Sequence, residues 1–143
     1  IVTLTAGRKF KKGWELGMRW RFQGGAPYTP IDVQRSALIN VWNVTGQGIP
    51  DYNRINTERL EVAHQLDVRV DKKWFLKKSS INLYFDVQNI YNYKQTLQPT
   101  LILQRDQDGN PVVDPNNPNA YQTKFIQNTN GLLQPSIGLI IEF

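Results

Sequence analysis

The sequence contains no cysteine, one histidine and one methionine among 143 residues. Without cysteine there is no disulfide framework, no zinc ribbon and no thiol nucleophile. The chain also lacks any apolar run of about 20 residues, which excludes a transmembrane helix. A β-barrel is not excluded, because its strands are apolar only at alternate positions. No charged segment followed by an apolar stretch opens the chain, so no signal peptide is read there. Ile1-Val-Thr-Leu-Thr already reads as strand. Residues 1–143 are therefore expected to be the C-terminal part of a longer protein.

A clean two-residue alternation is abundant. In 133–143, Leu133, Pro135, Ile137, Leu139, Ile141 and Phe143 share one parity, with small or polar residues and Ile140 on the other. In 14–23, Trp14, Leu16, Met18, Trp20 and Phe22 oppose Glu15, Gly17, Arg19, Arg21 and Gln23. In 60–73, Leu60, Val62, His64, Leu66, Val68 and Val70 oppose Glu61, Gln65, Asp67, Arg69 and Asp71. In 81–91, Ile81, Leu83, Phe85 and Val87 oppose Asn82, Tyr84, Asp86 and Gln88, and Asn89-Ile90-Tyr91-Asn92 closes the strand. Successive strand side chains point to opposite faces, so each segment presents one apolar and one polar face. Thr3 to Phe10 is a weaker fifth strand.

The connections alternate in length. Lys11-Lys12-Gly13 and Trp74 to Ser80 are short; 26–58 and 93–130 are long. Loops of that length are uncommon in compact soluble domains. Outer-membrane barrels combine short periplasmic turns with long extracellular loops. With Phe143 at the periplasmic side, both short turns fall in the periplasm and both long segments outside. Aromatic residues gather near both ends of the strands, as interfacial girdles do. The fold expected is all-β: an antiparallel transmembrane β-barrel, of which this chain supplies about five membrane strands and two long extracellular loops. Five strands cannot close in lipid, since an open edge leaves unpaired backbone groups. Within the second long segment a hairpin is expected, from Thr100–Arg105 through a turn at Asp108-Gly109 to Pro111–Val113, followed by loop from Asp114.

The net charge of +5 raises nucleic-acid binding, but the lysines cluster beside turns and no nucleic-acid motif accompanies them. No nucleic-acid partner is expected. No catalytic constellation is found, and no enzymatic role, cofactor or metal is expected. His64 falls on an apolar face near the outer strand end, an interfacial polar position. Asp106-x-Asp108-Gly109-Asn110 resembles a calcium loop, but the EF-hand positions 6 and 12 hold Pro111 and Asn117, so a hairpin turn is preferred. Gly46-Gln47-Gly48 reads as flexible loop, without the helix a phosphate cradle needs.

The polar parity assigns Glu15, Arg19, Arg21, Asp67, Arg69, Asp71, Asp86 and Glu142 to a lumen-facing wall. The apolar parity assigns Trp14, Leu16, Met18, Trp20, Leu66, Val68, Val70, Leu83, Phe85, Val87, Ile137 and Leu139 to lipid. Tyr28, Trp42, Tyr52 and Tyr121 are candidate extracellular contacts for a ligand or partner, against self-packing of the loops as the blander expectation.

Four stretches carry a family resemblance. Gly25-Ala26-Pro27-Tyr28-Thr29-Pro30, His64 to Lys72, Leu83 to Asn92 and the terminal strand together resemble the C-terminus of a TonB-dependent outer-membrane receptor of the Bacteroidetes kind. Ser136, Gly138, Ile141 and Phe143 match the spacing of the C-terminal signal read by the barrel-assembly machinery. The resemblance implies a barrel of about 22 strands, an N-terminal plug, energy from the TonB complex through residues outside this chain, and nutrient uptake across the outer membrane of a Gram-negative cell. The nutrient could be a siderophore, a glycan or a peptide. Lipid and the assembly machinery are then partners, and the family leaves room for a surface lipoprotein over the extracellular loops. The alternative is a non-transport β protein, such as an adhesion module or a soluble β-sandwich.

Overall fold

The computed structural model describes all 143 residues. They form two compact units. One comprises Ile1–Gly24, Val62–Gln95 and Asn130–Phe143; the other comprises Gly25–Glu61 and Thr96–Thr129. Strand dominates and every ladder is antiparallel, so the chain is all-β.

The first unit is a five-stranded sheet. Its strands are β1 (Val2–Lys9), β2 (Trp14–Gln23), β3 (Ala63–Phe75), β4 (Ser80–Gln88) and β5 (Gln134–Glu142). They pair in chain order, so each is the neighbour of the next. The outer edges of β1 and β5 have no partner strand. Met18 opposes Val68, Val70 opposes Phe85, and Phe85 opposes Ile137. That register keeps the apolar parity of four strands on one face. A slip of one residue would turn a whole strand's apolar set onto the polar face.

Three boundaries differ from the sequence expectation by more than one residue: β4 ends at Gln88 rather than Tyr91, because Asn89 turns the chain at φ 54°, and both ends of β3 move. β3 starts at Ala63 rather than Leu60, because Glu58–Arg59 pairs with Pro27–Tyr28 and the Leu60 amide donates to Ala26 O at 3.0 Å. It also runs on through Trp74 and Phe75, which oppose Ile81 and Ser80. The expected seven-residue connection thus shrinks to a tight turn, closed by Leu76 N donating to Ser79 O at 2.8 Å. The other short turn holds Lys12 at φ 62° and Gly13 at φ 75°. Gly13 also lies against the Lys73 carbonyl, where a Cβ would collide. Glycine is thus favoured there twice over.

The second unit departs further from expectation. The segment read as loop contains two short helices, α1 (Val33–Ala37) and α2 (Ile39–Thr45). Asp32 caps α1 by accepting from Arg35 N at 2.9 Å. Gly46 ends α2 in the left-handed conformation, and Gly48 packs against Ile31 and Leu101. Gly46-Gln47-Gly48 is therefore a helix cap and a packing position, not a flexible loop.

The turn Asp106–Asn110 forms as expected. Asp106 Oδ1 accepts from Asp108 N at 3.0 Å and Asn110 N at 2.8 Å, and Gly109 takes φ 85°. The strand pairing around it is different. Thr100–Leu103 pairs with Thr123–Ile126, and Val113–Asp114 turns back onto Asn117–Tyr121, the stretch read as loop. Arg105–Pro111 is left as a single bridge. The pairing seats Leu101 and Leu103 inside the unit, where they and Ala120 are its buried apolar residues. Leu38 bridges Ala120, so the two long segments pack on each other.

Candidate functional site

The sheet presents two unlike faces. On the apolar one, Trp20 stacks on Phe22 with ring centroids 5.9 Å apart. Much of this face is uncovered: Ile137 is 71% exposed, Leu139 59% and Phe85 50%. No apolar residue of this unit is buried. Single exposed apolar residues are ordinary, but a contiguous face spanning β1 to β5 is not.

The opposite face carries all eight charged residues assigned to it from parity. Asp67, at its centre, is 5% exposed. Its carboxylate accepts from Arg19 Nη2 at 2.9 Å, Arg21 Nη2 at 3.3 Å, Gln65 Nε2 at 2.6 Å and the Asn89 amide at 3.1 Å. Arg19 and Arg21 lie on β2, so these bonds tie two strands across the ladder. Arg69 grips Asp71 with two bonds of 2.8 Å, and Asn82 donates to Asp71 at 2.9 Å. Such bidentate pairs are both directional and strong for their kind. Glu142 on β5 accepts from Lys73 at 2.8 Å and Ser80 at 2.6 Å. Glu15 is 3.9 Å from Lys9. Asp86 opposes Arg69 in register. The arrangement can hold charge and water on one side of a thin wall. It contains no group of three or more His, Cys, Asp or Glu side chains placed to hold a metal ion.

Tyr84 is a member of this face that parity alone did not single out. Its ring lies 3.9 Å under the Arg69 guanidinium carbon. On its other side it covers Gly138, where an added methyl would overlap the ring. Gly138 therefore supplies a close approach, and no positive φ is found there. The signal that could have found Tyr84 is an aromatic opposite a strand glycine, a known cross-strand pairing device.

The remaining members of the C-terminal pattern lie along β5. Ser136 opposes Asp86 and Ile141 opposes Ile81, while Phe143 follows the strand fully exposed.

The strand ends are aromatic. At one end His64 Nδ1 is 2.7 Å from Tyr91 Oη, and its ring centroid is 4.0 Å from that of Tyr93. Tyr93 Oη donates to Val62 O at 2.6 Å. His64 is thus one member of an aromatic, hydrogen-bonded group. Asn89 stops β4 there at φ 54°, accepting from Tyr93 N and donating to Tyr93 O, both at 2.9 Å. At the other end Lys72 Nζ lies 5.1 Å from the Trp14 ring and 5.5 Å from Trp74.

In the second unit the four aromatic candidates are not gathered. Tyr121 lines a cavity of about 770 Å³ with Asp32, Arg35 and Asp114. Tyr28 lines a different one with Pro30 and Phe125. Trp42 lies on α2, and Tyr52 is largely exposed in a short turn of helix. Tyr121 Oη also donates to Asn43 Oδ1 at 3.4 Å. Packing of the loops on themselves accounts for that contact.

Comparison with protein-family models, with curated proteins and with solved structures gives no match.

Proposed function

We propose that this chain is the C-terminal wall of a transmembrane β-barrel in the outer membrane of a Gram-negative bacterium. We read the whole protein as a TonB-dependent receptor that takes up a nutrient such as a siderophore, a glycan or a peptide. One observation carries the barrel reading. An apolar face five strands wide has no protein over it, while the opposite face carries a ladder of ion pairs. In water that face would favour association or collapse. Against hydrocarbon it is solvated. The free edges of β1 and β5 then pair with strands supplied by residues outside this chain, since open edges are costly in lipid.

The TonB part of the proposal rests on the resemblance of 25–30, 64–72, 83–92 and 133–143 to that family. A plug and the contact with the TonB complex would come from other residues. The two long segments, 26–58 and 93–130, would lie on the extracellular side.

The test uses the full-length protein in its host. It should sediment with the outer membrane, migrate as a compact band on electrophoresis until boiled, and support nutrient uptake that stops when TonB is deleted. A protein soluble without detergent would overturn the barrel reading. Correct membrane insertion with no TonB-dependent uptake would leave the barrel, remove the transporter and favour an adhesion module. Deleting Phe143 should lower the amount assembled. Unchanged assembly would remove the signal role of Ser136, Gly138, Ile141 and Phe143 alone.

A further inference from the structure

The short-turn end of the sheet is strongly and unevenly charged. Every lysine of the sheet unit except Lys94 lies at this end. Three side-chain carboxylates are found there: Glu15, Asp71 and Glu142. They are taken by Lys9, Arg69 and Lys73 respectively. Lys11, Lys12, Lys72, Lys77 and Lys78 are left without an ion pair. Of these, Lys11, Lys12, Lys77 and Lys78 are exposed, in the two tight turns.

Lys72 is the informative one. It belongs to the apolar face, opposite Trp14 and two residues from Trp74. A cation in the plane of a hydrocarbon-facing strand needs a way out. Lys72 takes it by running along both indole rings and donating its Nζ to the Lys12 carbonyl in the turn. That is the snorkelling of a long basic side chain toward a headgroup layer. Indole rings favour the same depth. The apolar face therefore continues directly into a row of unneutralised ammonium groups at headgroup level.

We propose that this rim binds anionic phospholipid headgroups in the leaflet at the short-turn side. The proposal rests on the membrane reading above and adds to it a preference for lipid charge. Lys72 and the paired turns meet the phosphodiester oxygens, while Trp14 and Trp74 hold the depth. Each lysine held near an anionic surface strengthens attraction, and the effect is screened by salt. A face made merely to be solvated would have no reason to prefer one headgroup over another.

The experiment uses the full-length protein in vesicles containing brominated phosphatidylglycerol or brominated phosphatidylcholine as quencher of tryptophan fluorescence. Phosphatidylglycerol should be preferred about fivefold at low salt. The preference should vanish in high salt, and in a variant carrying Lys11→Gln, Lys12→Gln, Lys72→Gln, Lys77→Gln and Lys78→Gln. Should that variant fail to fold, Lys77→Gln with Lys78→Gln alone, both in an exposed turn, should still weaken it. Equal quenching by the two lipids, or a preference surviving in the variants, overturns the proposal. So does loss of the preference only when an oligonucleotide competes for the rim, which would make the patch a nucleic-acid site. Absence of quenching by either lipid strikes at the membrane reading itself and is thereby distinguishable.

Discussion

In the unit formed by Gly25–Glu61 and Thr96–Thr129, the buried side chains are Leu101, Leu103, Ala120 and Ser36. In the sheet unit they are Asp67 and Asn89. One unit follows the rule of proteins in water, with apolar groups sheltered from solvent. The other hides a carboxylate and displays leucine, isoleucine and phenylalanine. On the barrel reading proposed above, the difference follows from what each unit touches. The sheet's order makes sense where the medium on one side is hydrocarbon and the polar groups must satisfy one another. The second unit's order needs only water.

The largest expected effect breaks that comparison on the apolar face. Phe85 sits near the middle of β4, half exposed, between Val70 and Ile137. Phe85→Arg should cost about 2–4 kcal/mol if the face meets the middle of a bilayer. Urea unfolding of the full protein in lipid vesicles measures this. A loss below about 0.5 kcal/mol would mean that water, not lipid, covers Phe85.

The next effect concerns the polar face. Removing the Asp67 carboxylate strips the acceptor from Arg19, Arg21, Gln65 and the Asn89 amide together. The two guanidinium groups are nearly half exposed and can be rehydrated. The Asn89 residue is buried, and its amide cannot be rehydrated as readily. Asp67→Ala should therefore cost about 1–3 kcal/mol. Asp67→Asn, which keeps an acceptor oxygen, should recover part of it in the same unfolding assay. Equal losses in the two variants would make charge, rather than hydrogen bonding, the decisive contribution.

The two units also differ in how far they could be read beforehand. The sheet was legible because its period is constant. The span Trp14–Gln23 is matched residue for residue, and all eight charges assigned by parity share a face. What failed there was local: β3 starts late because Leu60 is engaged elsewhere, and it ends late because Trp74 and Phe75 find partners on β4. The second unit was illegible because its elements are too short to show a period. Helices of five and seven residues and two-residue strands are fixed by caps and by pairing across more than 20 residues, as Pro27 with Arg59. Local turn chemistry, as at Asp106–Asn110, was the part that sequence could carry. In the candidate site, Tyr84 was missed because its role depends on Gly138, which lies more than 50 residues away and meets it only through the register.

That pair gives a smaller effect. Gly138→Ala would push the Tyr84 ring off its seat and away from Arg69. The ring can move, so the cost should be about 1–2 kcal/mol. In a Tyr84→Ala background the same substitution should cost little, because the overlap is gone. A double-mutant cycle with no coupling would show that Gly138 matters for backbone freedom and not for the ring.

The smallest effect sharpens the comparison most. Phe125 lies in the strand Thr123–Ile126 of the second unit and is 50% exposed, the same fraction as Phe85. Residue type and exposure are matched, while Phe125 lies in a two-stranded ladder and Phe85 in an interior strand of the five-stranded sheet. Phe125→Arg loses part of an apolar contact but keeps its new charge in water, so it should cost about 1 kcal/mol or less. Measured beside Phe85→Arg in the same vesicles, the difference between the two reports the medium rather than the side chain. A second unit that leaned into lipid would bring the two costs together. A sheet bathed in water would do the same from the other direction, by lowering the Phe85 cost. The direction in which the gap closes identifies which unit has been assigned the wrong surroundings.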